Sequence, residues 1–198
     1  MHLKEFEIRW NDIDANRHLA NSAYIGFMSH TRMSFMTEVG FGLLEMVKHN
    51  IGPVVLYEHM YYFKEVFLGK PIRVSLELKG ISEDGKFFQF YHNFFDHRGK
   101  NFARGDMMGA FIDLKTRKLT GLPSELFQNL NKIDKAEDFI VLTNKDTRKH
   151  GHFATDFLAV RVDRNTPKKI STAAPTRSGL KRSAPNKMAK KAAKTGCK

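Results

Sequence analysis

Cysteine is all but missing from this chain: one residue in 198, Cys197, next to the C-terminal Lys198. A single thiol excludes an intramolecular disulfide, a cysteine-rich metal centre and a catalytic thiol in the core, and it fits a reducing compartment. Long apolar runs are missing as well. No stretch of about 18 apolar residues reads as a membrane span, and Met1-His2-Leu3-Lys4-Glu5-Phe6-Glu7 lacks the apolar segment of a secretory leader. The expected location is cytoplasmic. Glycine-rich phosphate loops, the dinucleotide glycine pattern and Gly-x-Ser-x-Gly are all absent, which removes the usual sequence signs of nucleotide, nicotinamide and serine-hydrolase chemistry. No cofactor is expected. His150-Gly151-His152, near Asp156, has neither an evident third ligand nor a cysteine beside it, and reads as surface histidine rather than as a metal site.

Acidic residues are missing from the C-terminal end. Arg164 to Lys198 holds 11 of the 33 Lys and Arg and none of the 21 Asp and Glu, leaving 22 bases against 21 acids over residues 1–163. The body is therefore close to neutral, at +1, and +11 of the total +12 sits in the tail. The sequence pI near 9.8 describes that tail and not a basic folded domain. Residues 165–198 have no aromatic side chain and carry Pro167, Pro175 and Pro185. They bury too little to fold alone and are expected to be a disordered basic tail able to bind polyanions. With 41% apolar residues overall, the rest is long enough for one domain with a real core.

Leu3, Phe6, Ile8 and Trp10 alternate loosely with charged residues, as in a strand. About 18 residues without proline then lead to Gly40, with Tyr24, Ile25, Phe27, Met28, Phe35, Met36 and Val39 as apolar surface, predicting a long, largely buried helix. A second helical stretch from Phe41 to His49 stops at Asn50-Ile51-Gly52-Pro53. Beyond Pro53 the period becomes that of strands. Val54 to Val66 is β-branched and aromatic, and Ile72, Val74, Leu76 and Leu78 alternate with Arg73, Ser75, Glu77 and Lys79. Asp84-Gly85 turns into Phe87–Phe95, and Arg98-Gly99 into Phe102–Leu114. Pro123 and Ser124 open a short helix to Leu130, and Asp138 to Asp163 shows no clear pattern. This order predicts an α+β domain whose antiparallel sheet curls around one long central helix. Phe87, Tyr91 and Phe95 fall on the other sheet face, and aromatic surface there calls for cover by a helix or a second subunit. A homodimer or tetramer is the expectation.

Between the first strand and the helix, Asp12-Ile13-Asp14-Ala15-Asn16-Arg17-His18-Leu19-Ala20-Asn21-Ser22-Ala23-Tyr24 crowds acids, amides, an imidazole and a phenol. Asn21 or Ser22 is placed to cap the helix. The unpaired N–H groups of its first turn favour an anion or a polarised carbonyl oxygen. Asp12 reads as the residue that orders the loop.

Over roughly residues 3–120 this arrangement resembles the hotdog fold, and the loop from Asp12 to Asn21 resembles the active-site loop of acyl thioesterases. It is similar to the Asp-x-Asp-Ala loop of 4-hydroxybenzoyl-CoA thioesterase-like enzymes. It is also similar to the Asp-x-Asn-x-His pattern of plant acyl-ACP thioesterases, which Asp14, Asn16 and His18 fill. The chain departs from many members in having Arg17 where Gly precedes the His, and Ala20 where an Asn follows it.

The resemblance implies a thioesterase domain, taken as residues 1–135; an extension over 136–163 and the basic tail over 164–198, the latter read from composition, lie outside it. The resemblance also implies hydrolysis of a fatty acyl-CoA to free acid and CoA, without cofactor or metal. Asp14, Asn16 and His18 are then catalytic, and Asn21 and Tyr24 bind substrate. Asp14 either attacks the carbonyl carbon to give a mixed anhydride or deprotonates a water, and the helix N-terminus holds the oxyanion. Asn16 and His18 position the water or carboxylate, and His18 can move a proton near neutral pH. Glu38, Glu45 and Glu58 read as solvated. Two other readings stand beside this one. One is acyl-ACP hydrolysis, with the tail meeting the acidic carrier; the other is a noncatalytic hotdog binding module whose tail holds a polyanion.

Overall fold

Two-residue periodicity organises most of the computed structural model, which describes residues 2–156. The expected basic tail, with Cys197, lies outside the described residues. Strands β1 (His2–Phe6), β2 (Ile51–Tyr62), β3 (Ile72–Ile81), β4 (Phe87–Phe95) and β5 (Asn101–Asp113) form an antiparallel sheet in the order β1-β3-β4-β5-β2. A sixth strand, β6 (Lys135–Val141), runs parallel to β3 from Leu78 to Ile81, beyond the stretch from Ile72 to Leu76 that pairs with β1. Ile72, Val74, Leu76 and Leu78 of β3 and Phe88, Phe90 and Phe94 of β4 are each at most 2% exposed. Alternation puts them on one face, and each contributes about 1.5–3 kcal/mol by leaving water.

Helix α1 (Asn21–Glu38) lies against that face. Its buried residues, Tyr24, Phe27, Met28, Thr31, Arg32, Phe35 and Met36, recur every three or four positions. Tyr24, Phe27 and Met28 pack with Ile72, Val74 and Phe94, and Phe35 and Met36 with Leu76, Phe88 and Phe90. At Gly105 in β5 a Cβ would stand 2.2 Å from Met28 Sδ, so the bare backbone there admits the helix. The helix ends because Gly40 takes φ +75° while the Phe41 N–H donates to the Met36 carbonyl at 2.7 Å, a Schellman closure that few residues but glycine enter without strain. Short helices α2 (Leu43–Lys48) and α3 (Ser124–Leu130) follow, and α3 adds Leu126 and Leu130 to the core.

Boundaries differ from the sequence reading at three places, one being that β2 already takes in Ile51, Gly52 and Pro53, which pair with β5. The first strand stops at Phe6, and Trp10–Asp12 is a tight turn with Trp10 82% exposed. The turn forms because the Asp12 carboxylate takes the Arg9 backbone N–H at 2.8 Å. The strand expected to reach Val66 ends at Tyr62, since residues 66 and 67 pair with the loop before α1 instead. On the other sheet face, Phe87, Met108 and Ala110 are covered by Leu142, and the Arg104 guanidinium lies 3.8 Å from the Tyr91 ring centre. The chain's own later segment thus covers part of that aromatic surface. Strand β2 ends the sheet order, and Val55, Leu56, Tyr61 and Tyr62 on it are exposed.

The contact pattern groups Met1–Phe153 as one unit; of the other, Ala154–Lys198, the described residues 154–156 are exposed and lack regular structure. No helix among the described residues is long and apolar enough to cross a membrane.

Candidate active site

The loop between the first turn and α1 is tied down on both sides. Asp12 is 6% exposed, and its carboxylate also meets the Arg9 guanidinium at 3.2 Å. Burial works against its charge, but the hydrogen bonds from the Arg9 side chain and backbone outweigh it and hold the Asp12 pKa below the ordinary value. The Asp12 carbonyl accepts the Ala20 N–H at 2.8 Å, and Ile13 pairs with Leu19 across the loop. On the far side the Leu19 N–H donates to the Val66 carbonyl at 2.7 Å, and His18 pairs with Phe67. The tip closes through Asp14 N–H to the His18 carbonyl at 2.9 Å and Arg17 N–H to the Asp14 carbonyl at 3.0 Å. Arg17 pays for this closure with φ +68°, a left-handed conformation that glycine adopts freely.

Asp14 Oδ1 accepts two backbone N–H groups, from Asn16 at 2.8 Å and from His18 at 3.2 Å. Its other oxygen, Oδ2, has no hydrogen-bond partner among the described residues. One oxygen therefore fixes the carboxylate and the other is available for chemistry. Asp14 borders a pocket of about 350 Å³ together with His18, Asn21, Tyr24, Tyr62 and Glu65.

His18 Nε2 lies 3.4 Å from Glu65 Oε2, and its ring meets Phe67 edge-on at 5.1 Å between centres. Tyr24 is 3% exposed, packed edge-on to Tyr62 at 5.0 Å and against Phe94 at 5.1 Å. Burial first, and Tyr62 second, push its pKa up to about 12, so the phenol stays protonated as a donor. At the helix start the sequence reading needs correction. Ala20, not Asn21 or Ser22, is the capping residue, and no side chain caps the helix. Asn21 is the first helical residue, and an uncapped start leaves early backbone N–H groups without intrahelical acceptors.

Of the residues singled out from sequence, the pocket brings together Asp14, His18, Asn21 and Tyr24. Asn16 is exposed outside the pocket lining and meets Asp14 through its backbone N–H, while its side chain makes no hydrogen bond among the described residues. The wall formed by Tyr62, Phe63, Lys64, Glu65 and Val66 went unrecognised. Its one local signal is the charged pair Lys64-Glu65 interrupting an apolar run. Among the described residues no group of three or more His, Cys, Asp or Glu is placed to hold a metal ion.

Comparison with solved structures finds the same fold in several proteins. A probable thioesterase, YbaW, from Escherichia coli is 23% identical with a TM-score of 0.59, over 68% of this chain and 100% of that one. A hypothetical protein from Staphylococcus aureus, solved in complex with CoA, is 19% identical with a TM-score of 0.62, over 78% and 94%. A 1,4-dihydroxy-2-naphthoyl-CoA thioesterase from Synechocystis is 14% identical with a TM-score of 0.59, over 66% and 95%. No curated protein sequence matches. A family model does match, over residues 8–130, which span β2 to β5, helix α1 and the whole Asp14 loop: the chain belongs to the thioesterase-like superfamily.

Proposed function

We propose that the protein is a cytoplasmic acyl-CoA thioesterase in which Asp14 Oδ2 is the reacting group. The observation that carries this reading is the divided carboxylate of Asp14, one oxygen held by two backbone N–H groups and the other unpaired, in a pocket that also reaches the uncapped start of α1. A thioester carbonyl oxygen seated at that helix start gains donors where negative charge develops. Asp14 then attacks the carbonyl carbon, or takes a proton from a water that attacks it. In either route the C–S bond breaks and CoA leaves as a thiolate, which needs little help from an acid. Tyr24 offers a protonated hydroxyl to the pocket, and the pair of His18 with Glu65 keeps the imidazole beside it. Asn16 serves by donating its backbone N–H to Asp14.

The carrier supports the same reading. Lys64 lines the pocket, and a cation there suits the phosphates of CoA. The proteins of the same fold include one solved with CoA and one named as a CoA thioesterase. The exposed apolar edge of β2, which carries Val55, Leu56, Tyr61 and Tyr62, is proposed as the interface for a second copy. The test is thiol release from acetyl- to palmitoyl-CoA and aromatic acyl-CoAs by wild type beside Asp14→Ala. Turnover abolished by the substitution is the expected result; absence of turnover on every acyl-CoA would overturn the proposal.

A further inference from the structure

Arg32 is the only buried Lys, Arg, Asp or Glu on α1, at 8% exposure. Its Nη1 lies 3.5 Å from Glu58 Oε1 of β2 and 3.4 Å from His92 Nε2 of β4. His92 Nδ1 sits 2.8 Å from the Ser75 carbonyl oxygen. That contact needs the proton on Nδ1, so Nε2 carries the lone pair and accepts from Arg32. Complete burial first, and Arg32 second, lower the His92 pKa to about 3, and the ring is neutral. Glu58 Oε1 is itself buried without a hydrogen-bond partner among the described residues, so its approach to Arg32 is an ion pair, and His92 takes the hydrogen bond of Nη1. A guanidinium has five N–H groups, and the three on Nε and Nη2 have no partner among the described residues. Arg32 borders a second cavity, of about 150 Å³, between α1 and β2, lined also by Met33, Met36, Val54, Phe88 and Phe90. Glu58 Oε1 is the atom of this pair that is buried without a hydrogen-bond partner, and the remaining Arg32 donors are free to meet an acceptor that enters the cavity.

We propose that this cavity is an acyl-end subsite in which Arg32 donates to an uncharged oxygen, a hydroxyl or keto group, on the far end of the substrate's acyl chain. The inference rests on the thioesterase reading. Glu58 already balances the charge of Arg32, so a carboxylate would leave a net negative charge in an apolar space. A cavity of about 150 Å³ is the size that takes one benzene ring. Tyr24 borders the first pocket and Arg32 the second, eight residues further along α1, a separation of about 12 Å along the axis. A chain of about eight to ten carbons, with bonds of about 1.5 Å, spans it. Met28, midway between them, is a flexible thioether able to yield to the chain.

The test compares kcat/KM for octanoyl-CoA, ω-hydroxyoctanoyl-CoA and the CoA half-thioester of octanedioic acid. The wild type is expected to favour the hydroxylated chain at least about tenfold over octanoyl-CoA and to show no such gain with the dicarboxylate. Arg32→Met combined with Glu58→Met removes both charges together, and the preference is expected to vanish with them. Equal kcat/KM for the plain and hydroxylated chains in the wild type overturns the subsite, as does a preference that survives in the double variant. Should that variant fail to fold, the wild-type ratio alone decides. If no thioester is cleaved at all, the thioesterase reading fails separately. Titration of the wild type with 1-octanol, read on the Arg32 Nε–H signal by NMR, then decides the subsite: a shifted signal supports it and an unmoved one refutes it.

Discussion

Replacing Asp14 by Asn separates the chemistry of its carboxylate from the shape of its loop. The amide oxygen of Asn still accepts the N–H groups of Asn16 and His18, which lie 2.8 and 3.2 Å from Oδ1, whereas Ala removes both acceptors. A hydrogen bond of this kind contributes about 0.5–1.5 kcal/mol, and water replaces part of it because Asp14 is exposed. Asp14→Asn is expected within about 0.5 kcal/mol of wild-type stability, and Asp14→Ala about 1 kcal/mol below it. Activity follows a different order. Both substitutions remove the carboxylate oxygen Oδ2, and losing a general base or nucleophile costs about 100-fold or more in kcat, or about 2.7 kcal/mol of barrier.

The Asn variant should therefore resemble wild type in urea denaturation and resemble the Ala variant in thiol release. An Asn variant that keeps kcat within about fivefold of wild type would show that the carboxylate is a turn-forming acceptor and nothing more. Turnover in ¹⁸O-labelled water distinguishes the two routes. Label incorporated into Asp14 itself identifies a mixed anhydride opened at the aspartyl carbon, which the water-activating route never produces.

Arg17→Gly should raise stability by about 0.5–1 kcal/mol, because relief of a strained left-handed residue exceeds the added entropy of glycine in the unfolded chain; a lower urea midpoint would refute this. His92 has a folded pKa of about 3, below its ordinary 6.5, so the unfolded chain takes up a proton that the folded one refuses. The stability tied to its neutral form is full above about pH 6.5 and is lost as pH falls toward 3, at up to about 1.4 kcal/mol per unit. The stability gap between wild type and His92→Asn should accordingly shrink from pH 7.5 to pH 5, and a constant gap would exclude His92 as the source. Glu65→Gln should lower kcat/KM about three- to tenfold by weakening the hold on His18; unchanged kinetics would make that exposed pair incidental.

Helix α1, strands β3 to β5 and the helix from Ser124 to Leu130 could be read from sequence because each repeats one period long enough to beat its neighbours. Strand β6 could not. Of its seven residues Ala136 alone is buried, so the segment pairs with β3 without displaying an alternation. The Asp14 loop was visible as a cluster of residue types, but the use of each residue was not. Asn16 stands two positions from Asp14 whether its amide or its backbone does the work, and the structure uses the backbone. Glu65 enters the site through the pairing of residues 66 and 67 with the loop, a register that no local pattern encodes. Arg32, Glu58 and His92 come from a helix and two strands that are not neighbours in the sheet. Glu58 read as a solvated strand residue because nothing near it in sequence announces a buried cation.

Helix α1 links the two ends of the proposed substrate path, and its rigidity gives that path a fixed length. Its N-terminus follows directly from a loop bonded to residues 66 and 67, and its C-terminus is closed at Gly40. Between them Met28 seats over the bare backbone of Gly105, its flexible Sδ end 2.2 Å from where a Cβ would stand. A helix held at both ends cannot slide by part of a turn to suit a longer or shorter chain, since close-packed interiors do not deform continuously. Discrimination among acyl groups must then come from side chains that repack, chiefly Met28, and from whether the chain end offers an acceptor where Arg32 holds its open donors.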